Sequence, residues 1–458
     1  MKHPSLPDLL AQSLAALPAG AAEQGIAVAY SGGLDSSVLL HLLHIGGAAK
    51  LYAFHIHHGL SPNADAWEAH CAAECARLGI AFAARRVELN ADGSGTEASA
   101  RKARYAALGQ LCREHGVKLL LTAHHLDDQA ETVLLQLLRG AGPAGLSGMD
   151  AFNTAPELLQ NEDLLLARPL LQAARAQLEG FVKEQGIGHI EDESNADPRY
   201  ARNALRHGVM PLLAQSFPGF QERFARSARH AQSAQRLLTD LAAEDLRKVL
   251  AEGSIDLAAL AAVSEDRRAN LLRHWFAERQ IRIPSAAWLA EMMGQALTAR
   301  DDANLRVTHP DCEVRRHRGR LHLVPKQRTL AGTREDQFDD KPGQHFRWSG
   351  EPSIAFPAYG GTLHFERAEE GLDAGWLRDQ LLTIEFRRGG ERLKPAANRP
   401  TRNLKHHYQS LGVPAWERER SPVVSIPGQL LFAAGIGMDC HKLTIGPGDR
   451  IVFRWSAE

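Results

Sequence analysis

The sequence predicts an α/β fold for the first part of the chain, namely a doubly wound, mostly parallel sheet with helices on both faces. From Gly25 to about Phe217, short apolar runs alternate with amphipathic segments, which is typical of βαβ units. A loop rich in glycine and serine, Ser31–Ser37, separates the first apolar run from a helical pattern. At 458 residues the chain exceeds one ordinary core, so two or three domains are expected.

Five apolar runs are predicted as strands and four longer segments with helical periodicity as helices. The predicted strands are Ile26–Tyr30, Leu51–His57, Phe82–Leu89, Lys118–Ala123 and Leu164–Ala167. The predicted helices are Ala64–Leu78, Thr96–His115, Asp127–Arg139 and Gln172–Gln185. Ligands of such sheets bind beyond the carboxyl ends of the strands. We therefore expect Ser31–Ser37, His57-His58 and His124-His125 to meet at one edge of the sheet.

The composition changes after residue 217, the predicted end of a catalytic domain that begins at residue 1. Residues 218–330 are predicted as a mainly helical domain, in which Arg306–Val324 alternates like a strand. Residues 331–350 belong to a polar stretch that begins at Pro325 and is predicted to be a linker. Residues 351–458 are predicted to form a small β-rich domain. Its clearest elements are the apolar runs Gly361–Phe365, Gln429–Ala433 and Arg450–Trp455 and a helix near Leu404–Ser410.

Composition sets limits on partners and location. The formal net charge is −1, so any nucleic-acid surface must be local. The five cysteines include no C-x-x-C pair, which favours reduced thiols over a disulfide or a metal site. No basic start followed by an apolar core opens the chain, and no apolar run reaches the length of a membrane span. A soluble cytoplasmic protein is expected.

The loop between the first strand and the first helix has the chemistry of a phosphate site. Gly32 and Gly33 let backbone N–H groups approach an anion, while Ser31 and Ser36 offer hydroxyl donors at the positive end of a helix. The spacing fits neither G-x-x-x-x-G-K-[ST] nor G-x-G-x-x-G. Asp35 would repel a phosphate unless it caps the helix, holds a cation or positions a nucleophile.

A second dense motif, Thr122–Thr132, follows a predicted strand and opens a helix. His124 precedes two acids, Asp128 and Glu131, which share one helix face. A metal-dependent hydrolase is the rival function that this motif suggests. No third or fourth ligand follows at ligand spacing, and the nearby phosphate loop gives the acids another use, either with Mg²⁺ on ATP or with a cationic amino group.

Arginines form three further groups. Arg101 and Arg104 share a face of the Thr96 helix, and Arg199, Arg202 and Arg206 recur at helical spacing, so both are candidate partners for phosphate or for the acids. The third group is the densest basic region of the chain, whose donors suit a phosphate backbone. Tyr408 and Trp416 are predicted to stack on bases there. The basic residues of this region are Arg387, Arg388, Arg392, Lys394, Arg402 and Lys405.

Ser31–Ser36 resembles the pyrophosphate loop of the ATP-pyrophosphatase enzymes. Together with later motifs in the same order, it resembles the tRNA(Ile)-lysidine synthetase family over the whole chain. Those motifs are Thr122–Thr132 with Leu138–Leu146, Arg168-Pro169-Leu170, Glu191–Asn195 with Arg202-Asn203 and Arg206, and Phe386–Leu404 with Gly412–Arg418.

The resemblance implies ligation of L-lysine to C2 of the wobble cytidine in a tRNA(Ile) with a CAU anticodon, which changes codon specificity from AUG to AUA. ATP would adenylate the C2 oxygen with loss of pyrophosphate, and lysine would then displace AMP. ATP and Mg²⁺ are the implied cofactors, and tRNA and lysine the implied partners. A homodimer is left open.

The resemblance also implies roles for individual residues. Catalysis would involve Asp35, His124, Asp128, Glu131 and Arg202. Asp35 would face Mg²⁺ or the reacting centre, and His124 would contact the nucleotide or transfer a proton. Asp128 and Glu131 would bind lysine, while Arg104 and Arg202 would neutralise phosphate. ATP would contact Ser31, Gly32, Gly33, Leu34, Asp35, Ser36 and Arg104, and tRNA the basic residues between Arg387 and Lys405.

Other functions remain as alternatives. A tRNA thiolase of the same loop family would need a reactive cysteine or an iron–sulfur site, which the absence of C-x-x-C disfavours. An amidotransferase of the GMP synthetase type would need a glutaminase nucleophile. A metal-dependent hydrolase predicts tightly bound metal, and an RNA-binding protein with a degenerate loop predicts binding without ATP.

Overall fold

The computed structural model describes residues 4–48, 50–57, 59, 61–87, 96–191, 199, 201–299, 305–326 and 343–457, with the backbone alone for residues 96–98. The chain divides into two compact units. The first comprises Met1–Asp245 and Asn270–His274, and the second Leu246–Ala269 and Trp275–Glu458. The predicted domain boundaries at 217, 330 and 350 stay predictions.

The first unit is built on a six-stranded sheet, in the order β3-β2-β1-β4-β6-β5. Every neighbouring pair is parallel except β5 and β6, so the predicted doubly wound, mostly parallel sheet is confirmed. The sequence did not predict β5, which is short and lies at the sheet edge. The strands are β1 (Ile26–Ala29), β2 (Leu51–His57), β3 (Ala81–Arg86), β4 (Leu119–Leu121), β5 (Phe152–Thr154) and β6 (Leu165–Ala167).

Helices cover both faces of this sheet because the strands are apolar on both sides. On one face, Leu39, Cys71 and Leu178 join a core with Val28. On the other, Tyr105 and Leu108 pack with Phe54 and Leu120. The helices are α1 (Leu6–Ala15), α2 (Leu34–Ile45), α3 (Ala64–Leu78), α4 (Thr96–Glu114), α5 (Leu126–Leu138), α6 (Pro143–Leu146), α7 (Pro156–Leu159) and α8 (Arg175–Gln185).

A run of helices ends the first unit. A single π-helical stretch, Leu205–Val209, interrupts it, and such stretches occur frequently at functional sites. The division between the two units falls within the last helix. The helices are α9 (Ala201–Ala204), α10 (Met210–Ser216) and α11 (Phe220–Val249).

The second unit begins with helices and a five-stranded sheet, in the order β7-β8-β11-β10-β9. The predicted strand Arg306–Val324 is in fact three antiparallel strands, since Arg318 and Gly319 take positive φ angles between β10 and β11. The elements are β7 (Leu250–Ala251), β8 (Ser254–Asp256), α12 (Leu257–Ala261), α13 (Glu265–Glu278), α14 (Ala286–Thr298), β9 (Arg306–Thr308), β10 (Cys312–His317) and β11 (Arg320–Pro325). Residues 270–274 of α13 belong to the first unit.

The remainder of the second unit is β-rich, as predicted. Its strands form sheets of five (β12-β15-β18-β19-β20), three (β13-β14-β21) and two (β16-β17). The strands are β12 (Gln344–Phe346), β13 (Ser353–Phe356), β14 (Gly361–Asp373), β15 (Leu382–Phe386), β16 (Arg392–Leu393), β17 (Arg402–Asn403), β18 (Pro422–Ile426), β19 (Gln429–Ala433), β20 (Gly437–Met438) and β21 (Thr444–Ala457). The helices are α15 (Ala374–Asp379), α16 (Leu404–Leu411) and α17 (Ala415–Glu419).

The predicted linker at residues 331–350 was wrong in its last part. Gln344–Phe346 pairs with β15, and Trp348 is buried in the β-rich core. Backbone pairing outweighs the polar composition of this stretch, which suggested a linker. Residues 331–342 lie outside the described residues. Among the described helices, none is both long enough and apolar enough to cross a membrane.

Candidate active site

The loop after β1 is held by hydrogen bonds within itself. The Ser31 and Ser36 hydroxyls lie 3.1 Å apart, and the Ser36 hydroxyl donates to the Gly33 carbonyl at 3.0 Å. The Ser37 hydroxyl donates to the Gly32 carbonyl at 3.3 Å. Gly33 is the N-cap of α2, so the backbone N–H groups of Leu34 and its neighbours open at the helix N-terminus, as an anion site requires.

Gly32 occupies a position that no side chain fits. Its φ is +81°, and a Cβ there would lie 2.4 Å from Ile190 Cδ1 and 2.7 Å from Cys71 Sγ. Ile190 also donates its backbone N–H to the Gly32 carbonyl at 2.8 Å. Gly33 has an ordinary φ of −71°. The two glycines therefore serve different purposes: the first permits a turn, and the second keeps the helix end open.

A buried histidine joins this loop to α5. The side chain of His125 is 1% exposed, and its Nε2 lies 3.7 Å from Asp35 Oδ2 and 3.4 Å from Asp128 Oδ2. Its Nδ1 lies 3.6 Å from Asp127 Oδ2. These are distances for ion pairs rather than for good hydrogen bonds. His125 therefore stands among three carboxylates, one from the loop helix and two from the first turn of α5.

The carboxylates decide the protonation of His125. Burial opposes a charge there, but Asp127, Asp35 and Asp128 raise the pKa of His125 to about 10. Burial would likewise raise the pKa of Asp127, yet His125, the Arg175 backbone N–H and Gln221 lower it to about 2. At neutral pH the centre is an imidazolium among carboxylates.

The predicted lysine-binding acids are already paired with arginines. Arg202 Nε lies 2.7 Å from Glu131 Oε2, and Arg206 Nε lies 2.6 Å from Glu131 Oε1. Each guanidinium also lies 3.1 Å from Asp128 Oδ1. The Glu131 side chain is 2% exposed. This cluster of four residues, here called the acid–arginine cluster, offers both signs of charge at one place.

Arg202 contacts the acids, one of the two kinds of partner that the sequence left open for it. Its guanidinium donates to Asp128 and Glu131, because helical spacing puts Arg202 and Arg206 on one face, where together they neutralise the two acids. The role in neutralising phosphate, which the resemblance implies, stays a prediction.

His124 is half-buried beside arginines. Its Nδ1 lies 2.9 Å from the Thr122 hydroxyl. Burial lowers the pKa of His124 to about 3, against the opposing effect of Asp128, so the ring is neutral at physiological pH. Arg104 stands over the Tyr105 ring at 5.6 Å. Burial, followed by the charges of Arg101 and Arg202, lowers the pKa of Arg104.

The histidines at the end of β2 contact other residues of the protein. His55 Nδ1 lies 3.0 Å from the Tyr30 carbonyl oxygen, and burial lowers the pKa of His55. His57 Nε2 lies 3.2 Å from Asp65, and this carboxylate also pairs with Arg86 at 2.6 Å. His58 lies outside the described residues, as do residues 192–195 of the predicted Glu191–Asn195 motif.

Two groups of side chains in the described part of the chain are close enough together to bind a metal ion. The first is His57, Asp65 and Glu68, and the second is Asp439, Cys440 and His441. The acids of α5 belong to neither group. Asp35 suits a hard cation better, since its Oδ1 is buried without a hydrogen-bond partner among the described residues and carboxylate oxygens are the ligands that Mg²⁺ takes.

The predicted tRNA-binding residues lie in the second unit, around the β16–β17 hairpin and the start of α16. Arg388, Arg392, Arg402 and Lys405 are exposed, and Arg387 and Lys394 are half-buried. Two of these guanidiniums contact other residues of the protein. Arg388 pairs with Glu385 at 2.9 Å, and Arg392 donates to the Thr401 carbonyl at 3.3 Å.

The prediction that Tyr408 and Trp416 stack on bases was wrong. Tyr408 is 0% exposed, and its hydroxyl donates to the Ala434 carbonyl at 2.7 Å. Trp416 is 7% exposed, with its ring 5.3 Å from that of His322. Tyr408 packs in a core with Leu393 and Leu404. The four-residue spacing of Leu404 and Tyr408 was the available signal for burial.

Two residues of the site received no role of their own from the sequence. His125 was expected at the sheet edge beside His124, but its burial among three acids depends on the contact between α2 and α5. Arg175 donates its backbone N–H to Asp127 at 3.0 Å, and its Nη1 lies 3.7 Å from Asp35 Oδ1. Its place at the start of α8, a helix that was predicted, was the only signal for it.

Comparisons with known proteins identify the domains of the chain. Family models match three segments: a PP-loop domain at residues 7–213, a TilS substrate binding domain at 255–322 and a TilS substrate C-terminal domain at 382–455. The chain is similar to the tRNA(Ile)-lysidine synthase of Burkholderia pseudomallei, with 43% identity over 98% of this chain and 96% of that protein. It is 42% identical to that of Ralstonia nicotianae, over 97% and 96%, and 39% identical to that of Alkalilimnicola ehrlichii, over 97% and 96%.

Proposed function

The chain belongs to the tRNA(Ile)-lysidine synthase family, and on that premise we propose that it joins L-lysine to C2 of the wobble cytidine in a tRNA(Ile) with a CAU anticodon. ATP supplies the energy and leaves as AMP and pyrophosphate. The modified base pairs with A instead of G, so the codon read changes from AUG to AUA.

One observation carries the proposal. A phosphate-binding helix end and the acid–arginine cluster lie at the same edge of one sheet, and His125 bridges them through Asp35 and Asp128. A ligase that activates one substrate with ATP and attaches a charged amino acid needs these two subsites side by side. A phosphate loop alone would serve any nucleotide enzyme.

In the first step, the C2 oxygen of cytidine attacks the α-phosphorus of ATP, and the bond to pyrophosphate breaks. Ser31, Ser36 and the N–H groups at the start of α2 bind the leaving pyrophosphate, where negative charge develops. Arg104 neutralises negative charge on the phosphates. Mg²⁺, held by Asp35, would supply further neutralisation on the phosphates.

In the second step, the ε-amine of lysine attacks C2, the bond between C2 and the AMP oxygen breaks, and the proton of the amine passes to solvent water. The acid–arginine cluster binds lysine, since an amino acid carries a carboxylate for Arg202 or Arg206 and an ammonium for Asp128 or Glu131. An incoming ammonium must share a carboxylate with a guanidinium or displace that guanidinium, so the cluster rearranges when lysine binds.

For His124 we propose contact with the nucleotide rather than proton transfer. A general base works best with a pKa near the operating pH, and burial lowers that of His124 to about 3. A neutral ring whose Nδ1 faces Thr122 keeps Nε2 for a hydrogen bond to a base or ribose.

The exposed basic residues of the second unit are proposed to bind tRNA phosphates. Arg402 and Lys405 lie at the β17–α16 junction with solvent-exposed side chains, and the C-terminal family model spans them. Contacts to phosphate position an RNA without reading its sequence.

The decisive experiment measures pyrophosphate release from ATP by the purified chain with a tRNA(Ile) transcript carrying CAU, with and without L-lysine. The product nucleosides are analysed by mass. We expect release that depends on tRNA, and a lysine-sized gain on one cytidine only when lysine is present.

A different result would favour the rival function. Phosphate release without pyrophosphate, together with tightly bound metal, would make the chain a metal-dependent hydrolase. Binding of tRNA without release of phosphate or pyrophosphate would make it an RNA-binding protein whose loop no longer supports catalysis.

A further inference from the structure

Helix α11 carries a row of arginines that neither the sequence motifs nor the family models assign. Arg226, Arg229 and Arg236 lie between the matched segments 7–213 and 255–322. Spacings of three and seven residues place them on one face of the helix. They span about 15 Å along the helix axis. We call them the α11 arginine row.

The row is exposed and lacks ion pairs. All three side chains are exposed, and within the described part of the chain none has a carboxylate partner. No Asp or Glu occurs from Arg223 to Thr239. Elsewhere on the surface, arginines such as Arg367 and Arg454 pair with an acid. Glu222 and Asp240 lie four residues from Arg226 and Arg236, but among the described residues they form no ion pair with them. The row therefore presents positive charge that no ion pair neutralises.

The side of α11 next to the arginine row is fixed to the first unit. Ala228 is fully buried, and the Gln232 amide donates to the Ser147 carbonyl at 2.9 Å and to the Met149 carbonyl at 3.3 Å. The Asn270 amide donates to the Leu238 carbonyl at 2.6 Å. A helix held at this side presents its arginines in fixed places, which lowers the entropic cost of binding a ligand with a regular charge pattern.

We propose that the α11 arginine row binds the phosphate backbone of a double-stranded stem of the tRNA substrate. Duplex nucleic acid presents a dense, regular array of phosphates, with a charge about every 1.7 Å of axis in B-DNA, so a row of about 15 Å meets several of them. No Phe, Tyr or Trp occurs from Ala225 to Thr239, and His230 is the one aromatic ring in this range, so the surface has no run of aromatic side chains on which successive bases could stack. It fits a backbone and its shape rather than a single-stranded loop.

This inference rests on the proposed function, because tRNA is the duplex that the chain then meets. It adds a contact within α11 to those of the exposed basic residues around Arg402. The contact is electrostatic, so it raises affinity and sets orientation, while the reacting groups stay those at the sheet edge.

The test compares a triple variant, Arg226→Gln, Arg229→Gln and Arg236→Gln, with a matched control, Arg282→Gln, Arg367→Gln and Arg454→Gln. Glutamine keeps helix propensity. The control removes the same number of exposed arginines, but each of these is paired with a carboxylate. Binding of a tRNA(Ile) transcript with CAU is measured between about 50 and 200 mM salt.

For the triple variant we expect the slope of log K against log salt to fall by about 2 to 3, roughly one for each phosphate that is no longer neutralised. The KM for tRNA should rise about 10-fold or more, while kcat and the KM for ATP keep their wild-type values. The control should retain the wild-type slope. If the triple variant fails to unfold cooperatively, each single variant tests the same point with a change of about one in slope.

Failure of this inference and failure of the proposed function give different results. If the wild type makes no lysine adduct, the proposed function is wrong whatever the variants do. If the wild type makes it and the triple variant binds tRNA with the wild-type slope, only the role of the row is overturned. The row would then serve another partner, such as an acidic protein surface.

Discussion

Two of the arginine-rich regions of this chain use their cationic side chains in opposite ways. In the acid–arginine cluster, Arg202 and Arg206 are half-buried and bound to Glu131, whose side chain is 2% exposed. Around the β17–α16 junction, Arg402 and Lys405 are exposed. The first region is electrically balanced within itself, and the second leaves its charge for a partner.

The difference shows that burial decides what a charge contributes. A buried pair holds a defined geometry, and removing one member leaves the other desolvated without compensation. An exposed, screened charge adds little to folding but attracts an oppositely charged ligand. Substitutions in the buried region should therefore change the free energy of unfolding. Substitutions in the exposed region should change the affinity for tRNA and its dependence on salt.

The largest effect should follow Glu131→Gln. Two guanidiniums would lose their shared carboxylate in a largely buried place, so we expect a loss of about 3 to 4 kcal/mol in the free energy of unfolding. Lysine transfer should be lost as well. Urea unfolding measures the first, and the mass of the product nucleoside the second.

Glu179→Gln is the matched control for that variant. Glu179 pairs with Arg175 at 3.0 Å, and its side chain is 53% exposed, so the loss should stay below about 0.5 kcal/mol. Equal losses for the two variants would contradict the contrast between buried and exposed pairs.

Gly32→Ala should have the next largest effect, since the loop is packed as tightly as the cluster. An Ala at φ +81° costs about 1 to 2 kcal/mol, and the close approach to Ile190 and Cys71 adds about 1 to 3 kcal/mol. We expect a loss of about 3 kcal/mol in the free energy of unfolding, measured with urea, and a raised KM for ATP.

Gly33→Ala separates strain from phosphate contact. A Cβ on Gly33 would meet Ser31 Oγ at 3.5 Å, an ordinary contact, so stability should change by about 1 kcal/mol or less. A destabilisation as large as that of Gly32→Ala would refute the assignment of the tight turn to Gly32.

The pH dependence of stability tests the balance of charge around His125. Its pKa is raised to about 10 in the folded chain, against about 6.5 when unfolded. The stabilisation is fully present below about pH 6.5 and is lost as pH rises toward 10. We expect a loss of about 3 to 4 kcal/mol between pH 7 and 10, beyond that of His125→Gln.

Urea unfolding of both proteins across this range gives the comparison. Parallel curves for wild type and His125→Gln would show that His125 is neutral in the folded chain.

Asp127 affects stability at acid pH, since its pKa is lowered to about 2 in the folded chain. Its stabilisation is present above about pH 4 and is lost as pH falls toward 2.

The smallest change in stability should follow Arg402→Gln with Lys405→Gln. Both side chains are exposed, so unfolding should change by less than about 0.5 kcal/mol. The slope of log K for tRNA against log salt should fall by about 2. Arg367→Gln, which breaks a surface pair with Asp449, is the control and should leave the slope as it is.

Much of the first unit followed from periodicity. Strand Leu51–His57 and helix Ala64–Leu78 have the predicted bounds, and four other predicted strands differ only at their ends. The sheet edge where Ser31, His124 and Asp128 meet was also predicted, because parallel strands bring their carboxyl ends together. The short edge strand Phe152–Thr154 was missed, since three residues carry too little pattern.

Pairing between distant residues could not be predicted in this way. Arg202 is 71 positions from Glu131, and helical spacing gives its face but not what that face meets. Tyr408 and Trp416 show the same limit, because an aromatic residue beside arginines suits either a stacking surface or a core. Only packing against Ala434 and His322 decides for the core.

The sequence by itself determined the local chemistry of this protein: a loop without side chains at Gly32 and Gly33, acids in the first turn of a helix, and arginines spaced along one face. These depend on backbone periodicity and residue type, which act over a few positions. The tertiary structure alone decided which charges pair with one another and which remain for a ligand. That outcome depends on burial, since desolvation makes Glu131, Arg202 and His125 bind their neighbours, whereas Arg402 and Arg236 stay hydrated.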